Sequence, residues 1–268
     1  MIIFPNAKIN LGLNIISRRD DGFHNLETIL YPVDVKDGLE IIESHELKFS
    51  STGIKIPGNA EDNLCLRAWH LMATDLNLPK VHIHLHKQIP VGAGLGGGSA
   101  DAAFCIRLLN EKFDLKLSQD QMENYARQLG SDCAFFIRNK AALATGKGDV
   151  FSEAQVSLDK YFLVLVMPPL HVSTADAYRN VKPSSERKFR LANLPDLKIE
   201  DWKDYLVNDF EESVFEIQPS IKKIKTRLYE EGAIYASMSG SGAAVYGIFE
   251  NSVKLKDLER ENLIHYGV

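Results

Sequence analysis

Cysteine is scarce in this sequence: Cys65, Cys105 and Cys133 are the only three in 268 residues. An odd number in apolar contexts, with no C-x-x-C pair, excludes a disulfide framework and reads as buried thiols in a reducing compartment. Positive charge is not in excess either. Lys and Arg number 31 against 36 Asp and Glu, a net charge of −5, so the chain lacks the electrostatic footprint of a nucleic-acid binder. No apolar run approaches membrane-spanning length, and Met1-Ile2-Ile3-Phe4-Pro5 is too short for the apolar core of a signal peptide. Internal repeats, low-complexity tracts and the Gly-Lys-Ser/Thr close of a Walker loop are missing as well. The expectation is a cytoplasmic globular protein of one large domain or two modest ones, a monomer or a homodimer, whose partners are small molecules.

Glycine, by contrast, is concentrated. Five of the nine residues Pro90-Val91-Gly92-Ala93-Gly94-Leu95-Gly96-Gly97-Gly98 are glycine, in a chain that holds 18. Such density brings backbone rather than side chains close to a ligand, and it allows left-handed conformations that turn successive N–H groups toward one point. Ser99 and Ala100 lead into a helix-like run to about Phe113, so the loop delivers its donors at a helix N-terminus, where an anion is favoured. A phosphate cradle is the expectation. Gly92, Gly94 and Gly97 also satisfy the G-x-G-x-x-G of a dinucleotide-binding oxidoreductase, which would place an acidic ribose contact near Asp114 or Asp120. The preceding strand argues against it. Val81-His82-Ile83-His84-Leu85-His86 alternates strictly, as a half-solvated antiparallel strand does, whereas dinucleotide-fold strands are buried on both faces.

His82, His84 and His86 share one face of that strand. Without a second ligand cluster, a solvated face is a better reading than a metal site. Earlier in the chain, Ala7 to Ile16 alternates too: Ile9, Leu11, Leu13 and Ile15 on one side, Lys8, Asn10, Gly12 and Asn14 on the other. A lysine with two amides suits a surface that faces a site as well as a solvated one. Asp62 is the expected N-cap of a helix over Asn63–Asn77, and Gly130 the expected end of a helix over Gln119–Leu129. Asp132 follows, either as the N-cap of the next short element or as a carboxylate held at a pocket edge. Composition shifts after Gly146-Lys147-Gly148-Asp149, dividing the chain into 1–155 and 156–268. The second part opens on the buried strand Tyr161–Met167. Ser173 or Thr174 caps a short helix, helices cover Asp201–Leu206 and Ser220–Glu231, and strands cover Ala233–Ser237 and Ala243–Phe249. This order suits a split βαβ sandwich. Between the last two strands, Met238-Ser239-Gly240-Ser241-Gly242 is either a plain glycine hairpin or a second loop that closes a pocket.

Pro5-Asn6-Ala7-Lys8-Ile9-Asn10-Leu11, Pro90–Ala103 and Ser237–Gly247 resemble, in that order, the three motifs of the GHMP small-molecule kinases. Arg19-Asp20-Asp21-Gly22-Phe23-His24-Asn25-Leu26 and Gly130-Ser131-Asp132-Cys133-Ala134-Phe135-Phe136 look like the branch that acts on a CDP-linked methylerythritol. The resemblance spans nearly the whole chain. It implies an α+β GHMP kinase fold, with an N-terminal domain like domain 2 of ribosomal protein S5 and a ferredoxin-like C-terminal domain. It implies ATP-dependent phosphorylation of a 2-hydroxyl in the non-mevalonate route to isoprenoids, with a mevalonate- or homoserine-like kinase as the sibling alternative. The matching motifs assign Lys8 and Asp132 as the catalytic pair, Lys8 keeping Asp132 ionised and offsetting charge on the transferred group. They assign Pro90, Val91, Gly92, Ala93, Gly94, Leu95, Gly96, Gly97, Gly98, Ser99 and Ala100 to the ATP phosphates, and Asn63 and Lys87 to the adenine side. Asn10, Phe23, His24, Thr174, Tyr178, Ser239 and Gly240 fall on the substrate side, His24 and Tyr178 where the family sandwiches cytosine. Phe23 stands where the family usually has tyrosine, and Ala100 where a second serine is common. Mg²⁺ is expected from the chemistry, and the sequence shows no carboxylate set for it.

Overall fold

The computed structural model describes residues 1–268. The chain opens with five strands, β1 (Ile2–Ile3), β2 (Asn6–Arg18), β3 (His24–Lys36), β4 (Gly38–Glu43) and β5 (Lys48–Gly53). After α1 (Leu64–Asp75) and β6 (Val81–Lys87) come α2 (Gly97–Lys112), α3 (Gln119–Arg127) and α4 (Cys133–Arg138). Strands β7 (Ala142–Thr145), β8 (Val150–Glu153) and β9 (Phe162–Met167) lead to α5 (Thr174–Tyr178). The last part holds α6 (Trp202–Tyr205), α7 (Phe210–Ile217), α8 (Pro219–Glu230), β10 (Tyr235–Met238), β11 (Val245–Phe249), α9 (Lys256–Glu259) and β12 (Leu263–Tyr266). No helix is long and apolar enough to cross a membrane. The elements form two compact units, neither continuous in sequence.

The first unit comprises Met1–Ala7, Asp34–Val91 and Gly96–Lys140. Its sheet runs β1-β4-β6-β5, and α1 to α4 complete it. Strand β6 is antiparallel to β4 but parallel to β5, so the sheet is mixed rather than antiparallel throughout. The alternation in β6 does what the sequence suggests. Val81, Ile83 and Leu85 are buried, and the three histidines stand on the other face. There they form a hydrogen-bonded ladder: the Ser50 hydroxyl lies 2.7 Å from His82 Nε2 and 2.9 Å from His84 Nδ1, and Thr52 joins His84 to His86 in the same way.

Two helix boundaries differ from expectation. Asp62 ends a short 3₁₀ turn, and Asn63 caps α1 by accepting the Cys65 N–H at 2.9 Å. Two good cap formers stand side by side here; Asp62 lies within the 3₁₀ turn, and Asn63 has the extended backbone, φ −63° and ψ 132°, of a cap. Gly130 does not terminate α3, which stops at Arg127; it has no left-handed φ, and a Cβ there would meet Cys133 Sγ at 3.2 Å.

The second unit comprises Lys8–Val33, Gly92–Leu95 and Ala141–Val268. One sheet runs β2-β3-β7-β8 and another β10-β11-β9-β12. In the latter every pairing is antiparallel, with helices in the β9–β10 and β11–β12 connections, which is the ferredoxin-like split βαβ order. Leu13 and Ile15 of β2 share a core with Val164 and Val166 of β9, Val214 of α7, Ile221 and Leu228 of α8, and Val245 of β11.

Strand β2 has no solvated face. Lys8, Asn10 and Asn14 are 3–4% exposed, as deeply buried as the aliphatic row opposite them. Buried polar groups on such a strand must find partners within the protein. Asn208 shows how demanding this is nearby. Its amide N–H₂ donates to Met238 O at 2.8 Å and Gly240 O at 2.9 Å, and its Oδ1 accepts the Phe210 N–H at 3.0 Å. Asn208→Ala would leave the Gly240 carbonyl and the Phe210 N–H unpaired, and Met238 O with only the Ser237 hydroxyl at 3.4 Å, so it should cost about 2–3 kcal/mol; urea unfolding showing a loss under about 0.5 kcal/mol would contradict this account.

Candidate active site

In the second unit, the site begins with the buried ammonium of Lys8. It donates to Asn10 Oδ1 at 2.6 Å and to the Gly94 carbonyl at 2.9 Å. Asn10 is itself oriented: its N–H₂ donates to Thr28 Oγ1 at 2.9 Å, and the Thr28 hydroxyl donates to Gly12 O at 2.6 Å. The Tyr246 hydroxyl holds the Asn10 carbonyl at 2.8 Å. Thr28 lies outside the quoted motifs and Tyr246 lies inside Ser237–Gly247 without standing out there, and the sequence reading singled out neither.

The segment 92–95 reaches the same place through its glycines. Gly92 and Gly94 are left-handed, with φ of 73° and 77°. A Cβ on Gly94 would sit 2.0 Å from the Ser239 carbonyl oxygen, so only glycine allows this approach. Ser239 is fully buried and donates its hydroxyl to Gly94 O at 2.9 Å, and the Ala244 N–H donates to Ala93 O at 3.1 Å. The 238–242 loop is therefore more than a plain hairpin, since it packs against Gly94 and Ala93. Ser237 donates to Glu211 and Ser239 to Gly94, both inside the protein. Gly240 carries a φ of 55°.

In the first unit, α2 begins at Gly97 behind the left-handed Gly96, which has a φ of 69°. No side chain caps this helix, so its first N–H groups keep the donor character that suits an anion. Ser99 lies beside the Cys133 thiol at the start of α4, one residue from Asp132. The thiol is not reactive, since burial pushes its pKa up to about 11. Asp132 occupies the N-cap position of α4 with helical φ and ψ, and its carboxylate makes no capping bond. Asn63 opens α1, and the following residue, Leu64, lies 3.8 Å from where a Cβ on Gly98 would be. Ala100 is fully buried in the first turn of α2, where a small apolar side chain fits. Lys87 is the exception. Its ammonium, expected on the adenine side, is buried and bonded to Asp37 and Asp101.

A third cluster belongs to the second unit. Phe23 is 59% exposed at the β2–β3 turn, with the Lys147 ammonium 5.1 Å from its ring centre. His24 and Tyr178 stack directly, centroids 4.7 Å apart and planes at 21°. A base sandwiched between them would need about twice that separation, so the expected sandwich is closed in this structure. Burial and then Arg18 lower the pKa of His24, which favours the neutral ring. Thr174 is exposed at the start of α5, and Ser173 rather than Thr174 is the cap, accepting the Asp176 N–H at 3.0 Å.

Residues 63–140 match the family model of the GHMP kinases N terminal domain, and residues 191–266 that of the GHMP kinases C terminal. With the glycine-rich anion cradle and the ferredoxin-like sheet, these matches define the class as GHMP kinase. A 4-diphosphocytidyl-2-C-methyl-D-erythritol kinase from Cytophaga hutchinsonii is 52% identical over 250 residues, 93% of this chain and 92% of its own. One from Bacteroides thetaiotaomicron is 52% identical over 254 residues, with coverage of 93% and 92%. A crystal structure of 4-(cytidine 5'-diphospho)-2C-methyl-D-erythritol kinase is similar with a TM-score of 0.84 at 28% identity, over 100% of this chain and 98% of that one. Mevalonate kinase from Methanococcus jannaschii, at TM-score 0.71 and 15% identity over 99% and 97%, shares the fold. The chain belongs to the 4-diphosphocytidyl-2-C-methyl-D-erythritol kinase family.

Gly94→Ala tests the close approach to Ser239. A left-handed alanine costs roughly 1–2 kcal/mol before any clash is counted, so kcat/KM should fall by more than about tenfold. Near-normal kinetics together with an unchanged melting temperature would show that the approach is not needed.

Proposed function

We propose that the protein transfers the γ-phosphoryl group of ATP to the 2-hydroxyl of 4-diphosphocytidyl-2-C-methyl-D-erythritol, giving the 2-phosphate and ADP. The observation that carries the reading lies within the first unit, where the uncapped start of α2, Ser99 and Asp132 lie together. Membership of the kinase family supplies the substrate. The division near residue 155 is proposed on the same footing, since the two family models fall on either side of it.

Phosphoryl transfer passes through a loose transition state, so positioning and neutralisation of charge matter more than early deprotonation of the alcohol. The N–H groups of the 90–100 segment take the phosphate oxygens. Asp132 accepts the hydroxyl proton and orients the oxygen for in-line attack. The Lys8 ammonium, presented by Asn10 and the Gly94 carbonyl, offsets negative charge on the transferred group. Asn63 flanks the nucleotide, and Phe23, His24, Thr174 and Tyr178 form the cytidine side, with the base taken on an open ring face or after the stacked pair parts. Ser239 acts at one remove, by holding Gly94, with Gly240 beside it.

Magnesium would reach the site with ATP. Ser99 and Asp132 offer a hydroxyl and a carboxylate in the first unit, and no group of three or more His, Cys, Asp or Glu is placed to hold a metal. Mg²⁺ commonly takes one or two protein oxygens beside substrate phosphates, so these residues fit it, and bound there it would neutralise phosphate charge. We place the protein in the cytoplasm, acting on small molecules as a monomer or homodimer.

Asp132→Asn should lower kcat by about 10²–10⁴-fold, the usual contribution of a general base, while ADP binding stays close to normal. Near-normal kcat would remove Asp132 from the role. Release of ADP should follow addition of ATP and the CDP-linked alcohol and not of ATP with mevalonate or homoserine; the reverse preference would sink the substrate assignment.

A further inference from the structure

Three charged side chains lie under the start of α2, all in the first unit and all at most 2% exposed: Asp37, Lys87 and Asp101. Lys87 Nζ donates to Asp37 Oδ2 at 2.5 Å and to Asp101 Oδ2 at 2.7 Å. The other oxygen of Asp37 accepts the N–H groups of Gln88 at 2.6 Å and Ile89 at 2.9 Å. One end of this cluster therefore holds the chain as it leaves β6, and the other holds the first turn of α2. Gly97 rests on top: a Cβ there would sit 2.9 Å from Lys87 Nζ and 2.9 Å from Ile89 Cγ2.

Stability alone does not account for this arrangement. A buried ionic cluster gains little over well-packed apolar side chains of the same size, because desolvation cancels the attraction. Burial raises Asp101 to about 7 against the pull of Lys87, and its Oδ1 has no hydrogen-bond partner. What the charges add is direction. From Gly96 to Gly98 there is no side chain with which the phosphate cradle might be anchored. Its shape must come from what grips its two ends.

We infer that Asp37, Lys87 and Asp101 are positioning residues for nucleotide binding, a buried clasp that fixes both ends of the glycine-rich cradle without touching ATP. The inference rests on assigning the cradle to ATP phosphates. It turns Lys87 from a ligand into a support, and it gives Asp101, inside the same motif, a role distinct from that of Ser99.

The test measures ADP binding by calorimetry and the KM values for ATP and for the CDP-linked alcohol. Asp101→Leu, similar in size but without an acceptor, should weaken ADP binding and raise KM for ATP by at least about tenfold, with KM for the alcohol changed less than twofold. Asp101→Asn, which keeps an acceptor for Lys87, should recover most of that affinity. If Asp101→Leu does not fold, Lys87→Met/Asp101→Leu, which removes one charge of each sign, is read by the same criterion. Folded variant protein that binds ADP as tightly as wild type would overturn the clasp. Equal rises in both KM values would do so too, since they mark a general loss of structure. Wild-type protein that binds no ADP would overturn the cradle assignment, and the clasp with it.

Discussion

A lysine ammonium buried on a β-strand has to be solvated by the protein itself, and much of the second unit's site follows from meeting that demand at Lys8. Water is replaced by Asn10 Oδ1 and the Gly94 carbonyl. Neither acceptor would stay in place unaided, because an amide can flip and a glycine segment can wander. Thr28 fixes the amide from one side, and the Ser239 hydroxyl holds Gly94 O. Each neighbour is then constrained in turn: Gly94 must be glycine because Ser239 O lies where its Cβ would be, and Asn208 must hold the carbonyls on either side of Ser239. The network leaves a cation in fixed orientation, which is what stabilising a developing charge requires, since little reorganisation is then needed when the reaction occurs.

The 90–100 segment is controlled in two physically different ways. Around Gly94 control is steric: left-handed backbone and missing β-carbons allow carbonyls and N–H groups to approach to distances that no other residue permits. At Gly97 it is electrostatic, through charges that touch the ends of the segment and not its middle. A motif rich in glycine is usually read as flexible. Here the absence of side chains is compensated by partners on both flanks.

Much of this was legible in the sequence, and the failures are instructive. Strand β6 and the start of α2 were clear because a period of two ends at a glycine run followed by a period suited to a helix. The polar face of β2 could be read as facing either solvent or a site, because alternation reports polarity and not burial. Lys8, Asn10 and Asn14 look like a wet face until β2 is found with both sides covered. Helix α7 was missed: only eight residues long, it has Ser213 on its buried face, which interrupts the apolar row. Strand β12, four residues near the end of the chain, gives too short a pattern to read. Lys87 could have been read better. It continues the buried series Val81, Ile83, Leu85 by the same step of two, so its side chain had to point inward. A buried lysine implies carboxylate partners, though nothing in the order of residues says that they are 50 positions earlier and 14 later.

Asp101 and Asp132 show why residue type within a motif is a weak guide to role. Asp101 belongs to the most recognisable stretch of the chain, two residues from Ser99, and would be the natural candidate for a carboxylate that works on phosphate. Yet it is buried, faces Lys87, and is raised toward neutrality by its surroundings. Asp132 sits in an undistinguished turn, half-exposed, at a cap position where its side chain does not cap. A base must be able to meet its substrate, and of the two carboxylates only the second, the base proposed above, is open enough to do so. On the roles proposed above, the same side chain serves as a brace in one place and as a reactive group in another. What separates the two roles is desolvation, a property of the folded environment rather than of the residue.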